Sequence, residues 1–117
     1  MINGFHSIIY SNDAKADSIF FRDILKLPNV DVGNGWLIFA LPPSELAVHP
    51  AAEDLRFEFF LMCDNIQNFV NEMAKVNIPC SEIAEQRWGL ITRLTLPGGG
   101  KIGVYEPRHA RPQPASV

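Results

Sequence analysis

The sequence has few of the features that would place a protein in a membrane, in an oxidising compartment or on nucleic acid. No apolar run in its 117 residues approaches the roughly 18 residues of a membrane-spanning helix. The first residues lack the basic and apolar regions of a signal peptide. The net charge is only −3, and the two cysteines, Cys63 and Cys80, match no zinc-binding or redox spacing. We therefore expect a cytoplasmic protein with reduced thiols that binds neither nucleic acid nor a membrane.

The composition is that of a folded domain. Hydrophobic residues make up 47% of the chain and charged residues 20%, which is typical of a globular protein. At this length a core forms without disulfide bonds. We predict a single domain over residues 1–110, followed by a loose C-terminal tail at 111–117 in which proline is frequent.

Three pairs of residues with similar or comparable roles are separated by the same number of positions along the chain. The spacing is 52 residues, and three pairs share it: Trp36 and Trp88, His6 and Glu58, and Asn12 and Asp64. Asn12 and Asp64 each precede a helix-like segment, at the position of a helix N-cap. These coincidences predict an internal repeat.

Apolar periodicity and turn residues predict the same elements in both halves. In the first repeat, residues 5–49, we predict a strand at 5–10, a helix at 13–26 and strands near 30–32, 36–41 and 45–49. In the second repeat, residues 56–107, we predict a strand at 56–62, a helix at 65–76 and strands near 81–84, 88–96 and 101–105. Each half therefore reads as βαβββ, and pairing the halves would bury the open face of each sheet.

Several short segments carry a family resemblance. They are the histidine-containing first strand (residues 5–10), the Asn-Asp that opens the first helix, the strand–helix junction at 62–65, and the closing segment LPGGGKIGVYEP at 96–107. Together they resemble the vicinal-oxygen-chelate superfamily, which includes glyoxalase I, bleomycin-resistance proteins, fosfomycin-resistance enzymes and extradiol dioxygenases. The resemblance implies an α+β fold in which two βαβββ repeats form a curved mixed sheet around a cup, in a homodimer.

The resemblance also implies positions for metal ligands. Members of the superfamily that use a metal take ligands from the first and last strands of each half. The first-strand positions fall on His6 and Glu58, whose side chains both bind divalent metals. When the last strand is aligned on the closing Glu106-Pro107, the usual glutamate falls on Gly103, which has no side chain.

The matching position in the first half depends on the register of its last strand. Alignment on His49-Pro50 places it at Leu46, whereas a slip of the strand would present His49 or Glu45 instead. His6, Glu58 and His49 are therefore the candidate ligands, for iron, manganese, nickel or zinc. A plain hydrogen bond between His6 and Glu58 is the alternative to metal binding.

Strand alternation predicts a wall for a small-molecule ligand. Side chains two residues apart share one face of a strand, and Gly103 and Tyr105 would face the cup whereas Glu106 would not. The candidate ligand-binding residues are Tyr10, Phe60, Met62, Trp88 and Tyr105. The alternative is that some of these side chains simply fill the cup. We expect Arg108 and His109 to lie on the solvated surface.

Two functions stay open at this point. From the resemblance we expect the protein to bind a small molecule in its cup, either as a divalent-metal-dependent lyase or dioxygenase with an incomplete ligand set, or as a metal-free sequestering protein of the bleomycin-resistance type. His6 with Glu58 favours the first function, and Gly103 favours the second. The sequence identifies no catalytic residue, because its serines lack a nucleophile motif and Gly98-Gly99-Gly100 precedes a strand, as in a hairpin turn. A third hypothesis is an accessory module that binds a protein partner.

Overall fold

Two compact units make up the part of the chain that the computed structural model describes, residues 6–47 and 58–111. Residues 6–45 and 97–99 belong to the first unit, and residues 46–47, 58–96 and 100–111 belong to the second. Each unit contains helix and strand, which confirms the α+β class expected from the sequence.

The first unit begins with a helix that has a regular start and an irregular end. The helix α1 spans Ala14–Ile19 and continues as a π-helical turn over Phe20–Ile24. Asp13 is the N-cap, and its carboxylate accepts a hydrogen bond of 3.0 Å from the Ala16 N–H, which satisfies one of the free donors of the first turn. The predicted N-cap, Asn12, was wrong by one residue.

A two-stranded antiparallel sheet follows in the same unit. Strand β1 covers Asn29–Asp31 and β2 covers Leu37–Phe39, with Val30 opposite Ile38. The turn between them contains Asn34 at φ +53°, flanked by two glycines that also have positive φ. This is the left-handed backbone that glycine and asparagine tolerate best, and it explains why the Gly-Asn-Gly turn was predictable.

Two predicted strands of the first half are not found among the described residues. Residues 6–10 lie outside any strand, and so do residues 45–47; the remainder of the predicted strand at 45–49 lies outside the described residues. Ile8 and Tyr10 are exposed. An alternating pattern indicates which residues suit a strand. A strand forms only where a neighbouring strand pairs with its backbone N–H and C=O groups.

The second unit has the complete order strand, helix and three strands. Its elements are β3 at Phe60–Met62, α2 at Ile66–Lys75, β4 at Ala84–Gln86, β5 at Gly89–Thr95 and β6 at Lys101–Pro107. The strands form a mixed sheet in the order β3-β6-β5-β4. The β3–β6 pair is parallel and the other two pairs are antiparallel, because α2 carries the chain across the sheet between β3 and the later strands.

The core of this unit lies between α2 and one face of the sheet. Ile66 and Met73 are buried on α2, and Leu94 and Val104 are wholly buried on β5 and β6. α2 contacts both of these strands. Burial of the apolar stripe of an amphipathic helix against a sheet is the main favourable contribution to such a fold. Among the described residues no helix is long and apolar enough to cross a membrane.

The second helix begins and ends in the same way as the first helical segment. Asn65 is its N-cap and accepts a 3.0 Å hydrogen bond from the Asn68 N–H, so that the predicted N-cap, Asp64, was again one residue early. Lys26 and Asn77, which follow the two helical segments, have φ of +57° and +60°. Left-handed residues of this kind are common just after a helix C-terminus.

Candidate ligand-binding face

The register of the sheet decides which side chains lie opposite α2. Phe60 pairs with Gly103, and Met62 pairs with Tyr105. These positions alternate with Val104, which is buried in the core, so they lie on the face that α2 does not cover. This agrees with the predicted alternation. Glu106 lies on the helix side, where its carboxylate accepts a 2.9 Å hydrogen bond from the Ile66 N–H at the start of α2.

Three aromatic side chains meet on the uncovered face. The ring centroids of Phe60 and Trp88 are 5.9 Å apart, those of Phe60 and Tyr105 are 5.7 Å apart, and those of Trp88 and Tyr105 are 5.0 Å apart. All three pairs are edge-to-face, a favoured geometry for aromatic rings. The three residues are half-buried. We call Phe60, Trp88 and Tyr105 the aromatic cluster.

An arginine lies beside the aromatic cluster. Arg93 of β5 pairs with Gly103 of β6, and its guanidinium carbon is 5.8 Å from the centre of the Phe60 ring, within the range of a cation–π interaction. The Arg93 backbone is held by Ser81, whose hydroxyl accepts a 2.8 Å hydrogen bond from the Arg93 N–H. The Arg93 side chain is exposed and forms no ion pair with any described residue.

A histidine contacts the opposite end of the aromatic cluster. The Tyr105 hydroxyl is 3.1 Å from Nε2 of His109, and Nδ1 of the same ring is 2.9 Å from the Ala110 carbonyl oxygen. Because a carbonyl oxygen only accepts, Nδ1 carries the hydrogen, and in the neutral ring Nε2 accepts from Tyr105. His109 is exposed, as the sequence predicts, and it is also fixed against the aromatic cluster.

The corner at Gly103 does not fit a metal ligand. A Cβ atom at this position would overlap the Phe60 ring and would lie 3.4 Å from Nη1 of Arg93. The position at which the resemblance implies a glutamate ligand is therefore filled by an aromatic ring and a guanidinium group. Among the described residues no group of three His, Cys, Asp or Glu side chains could hold a metal ion.

The predicted metal ligands lie in different parts of the chain. His6 is exposed in the first unit, and Glu58 is exposed two residues before β3 in the second. His49 lies outside the described residues. Glu45 is half-buried in the first unit and has an interaction partner. Of the three predicted ligands, the described residues include His6 and Glu58, which belong to different units.

The predicted ligand-binding residues divide between the two units. Phe60, Met62, Trp88 and Tyr105 belong to the second unit, and the register and ring contacts bring them to one face. Tyr10 belongs to the first unit and is 91% exposed. Four of the five predicted residues are therefore neighbours.

A small cavity lies at the start of α2. It has a volume of about 190 Å³ and is lined by Met62, Cys63, Asp64, Glu106, Pro107 and Arg111. Burial and the nearby charge of Glu106 raise the pKa of the Cys63 thiol to about 11, so this thiol is protonated and a weak nucleophile at neutral pH. This cavity is smaller than the roughly 300–1,000 Å³ of cavities that bind drug-sized ligands. We take the aromatic cluster as the candidate site because its three rings meet on the uncovered face of the sheet.

Sequence reasoning missed two residues of the candidate face. Arg93 carried a usable signal, because it is a charged residue in a strand that is otherwise apolar or threonine-rich and alternation from Ile91 places it on the cluster side. His109 carried no such signal, since it follows the end of the last strand. Only the path of the chain beyond Pro107 brings it to Tyr105.

Comparison with solved structures identifies proteins of the same fold. A lactoylglutathione lyase from Agrobacterium tumefaciens superposes with a TM-score of 0.63 at 18% identity, covering 89% of this chain and 92% of the other. TnmS3, an antibiotic-binding protein from Streptomyces sp. CB03234, gives the same TM-score and identity, with 92% and 98% covered. An integron cassette protein from the mobile metagenome of V. cholerae gives 0.53 at 15% identity, with 88% and 98% covered.

These structures belong to the glyoxalase/bleomycin-resistance superfamily, which confirms the resemblance seen in the sequence at the level of the fold. At such identities the likeness establishes the fold alone, since one fold supports many functions. No model of a protein family matches the sequence. No curated protein matches it either.

Proposed function

We propose that the protein binds a small aromatic molecule against the aromatic cluster. The observation that carries this proposal is the meeting of Phe60, Trp88 and Tyr105 on the sheet face that α2 leaves uncovered. Mutual edge-to-face packing fixes the three rings before a ligand arrives. Rigid aromatic surface binds planar ligands with little loss of side-chain entropy, and each aromatic pair adds about 0.5–1.5 kcal/mol beyond the area that it buries.

The proposal also includes the repeat structure, the oligomeric state and the cellular location of the protein. We infer two βαβββ repeats around a cup, in a cytoplasmic homodimer. The matched helix starts support the repeat, because the N-caps Asp13 and Asn65 are 52 residues apart, the spacing that also relates the two tryptophans. An antibiotic-binding protein among the structural relatives supports small-molecule binding as a use of this fold.

Replacement of Trp88 is expected to weaken binding of a planar aromatic probe. In Trp88→Ala the affinity for 2-naphthoate falls about ten-fold, because the ligand loses one ring contact and the other two rings lose their support. Isothermal titration calorimetry on the full chain measures this change. Trp36→Ala is the matched control, since Trp36 is 74% exposed and lies outside the cluster.

Equal affinities in Trp88→Ala and Trp36→Ala would contradict this assignment of the site. Thermal unfolding of both variants shows whether Trp88→Ala is still folded under the titration conditions. Trp88→Phe, which keeps an aromatic ring, should recover most of the lost affinity.

A metal-dependent lyase or dioxygenase is the second candidate function. His6 and Glu58 are both exposed and therefore open to a solvated ion, and His49 would be the third ligand. Imidazole and carboxylate groups suit iron, manganese, nickel and zinc, and a metal bound there would polarise vicinal oxygens of a substrate. The corner at Gly103 would add no ligand.

This second candidate predicts one equivalent of metal in the purified protein, as measured by elemental analysis. The metal should be lost in both His6→Ala and Glu58→Ala. The exposed Glu72 forms a surface ion pair with Lys75, so Glu72→Ala should retain the metal. Wild type that takes up no iron, manganese, nickel or zinc on incubation would remove the metal-dependent candidate and leave small-molecule binding in place.

A further inference from the structure

Arg93 contacts the aromatic cluster through its cation–π interaction with Phe60, but this contact does not neutralise its positive charge. Two other exposed arginines have carboxylate partners: Arg22 contacts Asp23 at 2.7 Å and Arg108 contacts Glu85 at 2.9 Å. Arg87 is exposed and unpaired among the described residues, as Arg93 is, but only Arg93 lies over a ring of the aromatic cluster. Arg93 has no such partner among the described residues. Within the described part of the chain its guanidinium therefore keeps its hydrogen-bond donors free beside the proposed ligand site.

The position of Arg93 is fixed by its surroundings. Ser81 makes hydrogen bonds to both the backbone N–H and the backbone carbonyl of Arg93, at 2.8 and 2.9 Å. The guanidinium then lies over the Phe60 ring. A guanidinium held over an aromatic ring loses less freedom on binding an anion than a free surface arginine does.

Gly103 makes this arrangement possible. Because Gly103 has no side chain, the Phe60 ring and the Arg93 guanidinium both approach its backbone. At the corner where the resemblance implies an anionic metal ligand, this chain presents a cation. A guanidinium repels a divalent metal and attracts a carboxylate, which it can bind through two parallel hydrogen bonds.

We propose that the ligand of this protein is an aromatic carboxylate, whose ring packs on the aromatic cluster and whose carboxylate binds Arg93. The inference rests on the proposed function, because it requires that the aromatic cluster is the ligand site. It adds the charge of the ligand and the residue that recognises this charge.

The test compares two probes of nearly the same shape, of which one is charged and one is neutral. 2-Naphthoate and 2-naphthamide have the same ring system and nearly the same shape, and only the first is an anion at neutral pH. We expect wild type to bind 2-naphthoate about ten-fold more tightly than 2-naphthamide, the difference typical of a charge-assisted hydrogen bond. Isothermal titration calorimetry gives both affinities, and the preference should weaken as salt is added.

Variants of Arg93 assign the preference to this side chain. In Arg93→Gln the preference for 2-naphthoate over 2-naphthamide should disappear. Arg93→Lys keeps the charge and should keep part of the preference. Arg22→Gln makes the same change in net charge at an arginine that is already paired, and it should behave like wild type. Thermal unfolding establishes that each variant is folded.

The outcomes separate this inference from the proposed function. If both probes bind with equal affinity and both are lost in Trp88→Ala, the site is correct and the anion preference is wrong. A preference that persists in Arg93→Gln also overturns the role of Arg93. If wild type binds neither probe at millimolar concentration, the proposed function fails, and this inference fails with it.

Discussion

Leu94→Ala is expected to lower the free energy of unfolding by about 2–5 kcal/mol. Leu94 is fully buried in β5, on the sheet face that α2 covers. Truncation removes apolar surface from the core and leaves a cavity that the regular β5–β6 ladder cannot close by moving. Domains of this size are stable by only about 5–15 kcal/mol, so the loss is a large fraction of the total. Urea denaturation followed by circular dichroism measures it.

Leu46→Ala is the matched control for this measurement. Leu46 is 79% exposed, and the same loss of three carbon atoms should change the free energy of unfolding by no more than about 0.5 kcal/mol. Similar midpoints for the two variants, with unchanged slopes of the transition, would show that Leu94 does not belong to the core described above.

Gly103→Ala is expected to lower the free energy of unfolding by about 1–3 kcal/mol and to weaken the binding of 2-naphthoate. The added methyl group would overlap the Phe60 ring, and the ring must then move away from β6. Its contacts with Trp88, Tyr105 and Arg93 change together, because Phe60 touches all three. Urea denaturation and calorimetric titration measure the two effects on the same preparations.

Gly100→Ala supplies the comparison for this second change. A Cβ atom at Gly100 would meet no atom within 4 Å, and the variant should differ little from wild type in stability and in binding. Equal stability of Gly103→Ala and Gly100→Ala would show that the Phe60 ring does not lie over Gly103 in solution. The position of the Phe60 ring would then no longer be evidence against a metal ligand at the Gly103 position.

The order of elements in the second half could be predicted because its local signals agree with its tertiary contacts. Two strand bounds were wrong: the strand predicted near 81–84 lies at Ala84–Gln86, and β3 begins at Phe60. The apolar stripe of the helix at 65–76 faces a sheet that needs covering, and the observed α2 lies inside these bounds. The Gly-rich turn at 98–100 joins the predicted strands, which pair as β5 and β6. Alternation correctly separated Gly103 and Tyr105 from Glu106 across the sheet. Period and turn chemistry carry such information in the sequence itself.

The first half was less predictable because a strand forms only beside a second strand that pairs with it, and the local sequence pattern does not identify that second strand. The pattern of residues 5–10 suits a strand, yet residues 6–10 lie outside any strand. Both N-caps were assigned one residue too early, at Asn12 and Asp64. Each is followed by a second residue able to cap, and only the backbone geometry decides between neighbours of similar chemistry.

The sequence by itself determined the α+β class, the two helical segments, the turns and the residues that share a strand face, because these follow from short-range periodicity and backbone preferences. Tertiary structure alone decided that Phe60 lies over Gly103, that Arg93 lies over Phe60, and that His109 contacts Tyr105. These contacts join residues from separate strands and from the segment after the last strand. Their geometry depends on strand register and on the volume left free by a missing side chain, and no local pattern specifies either quantity.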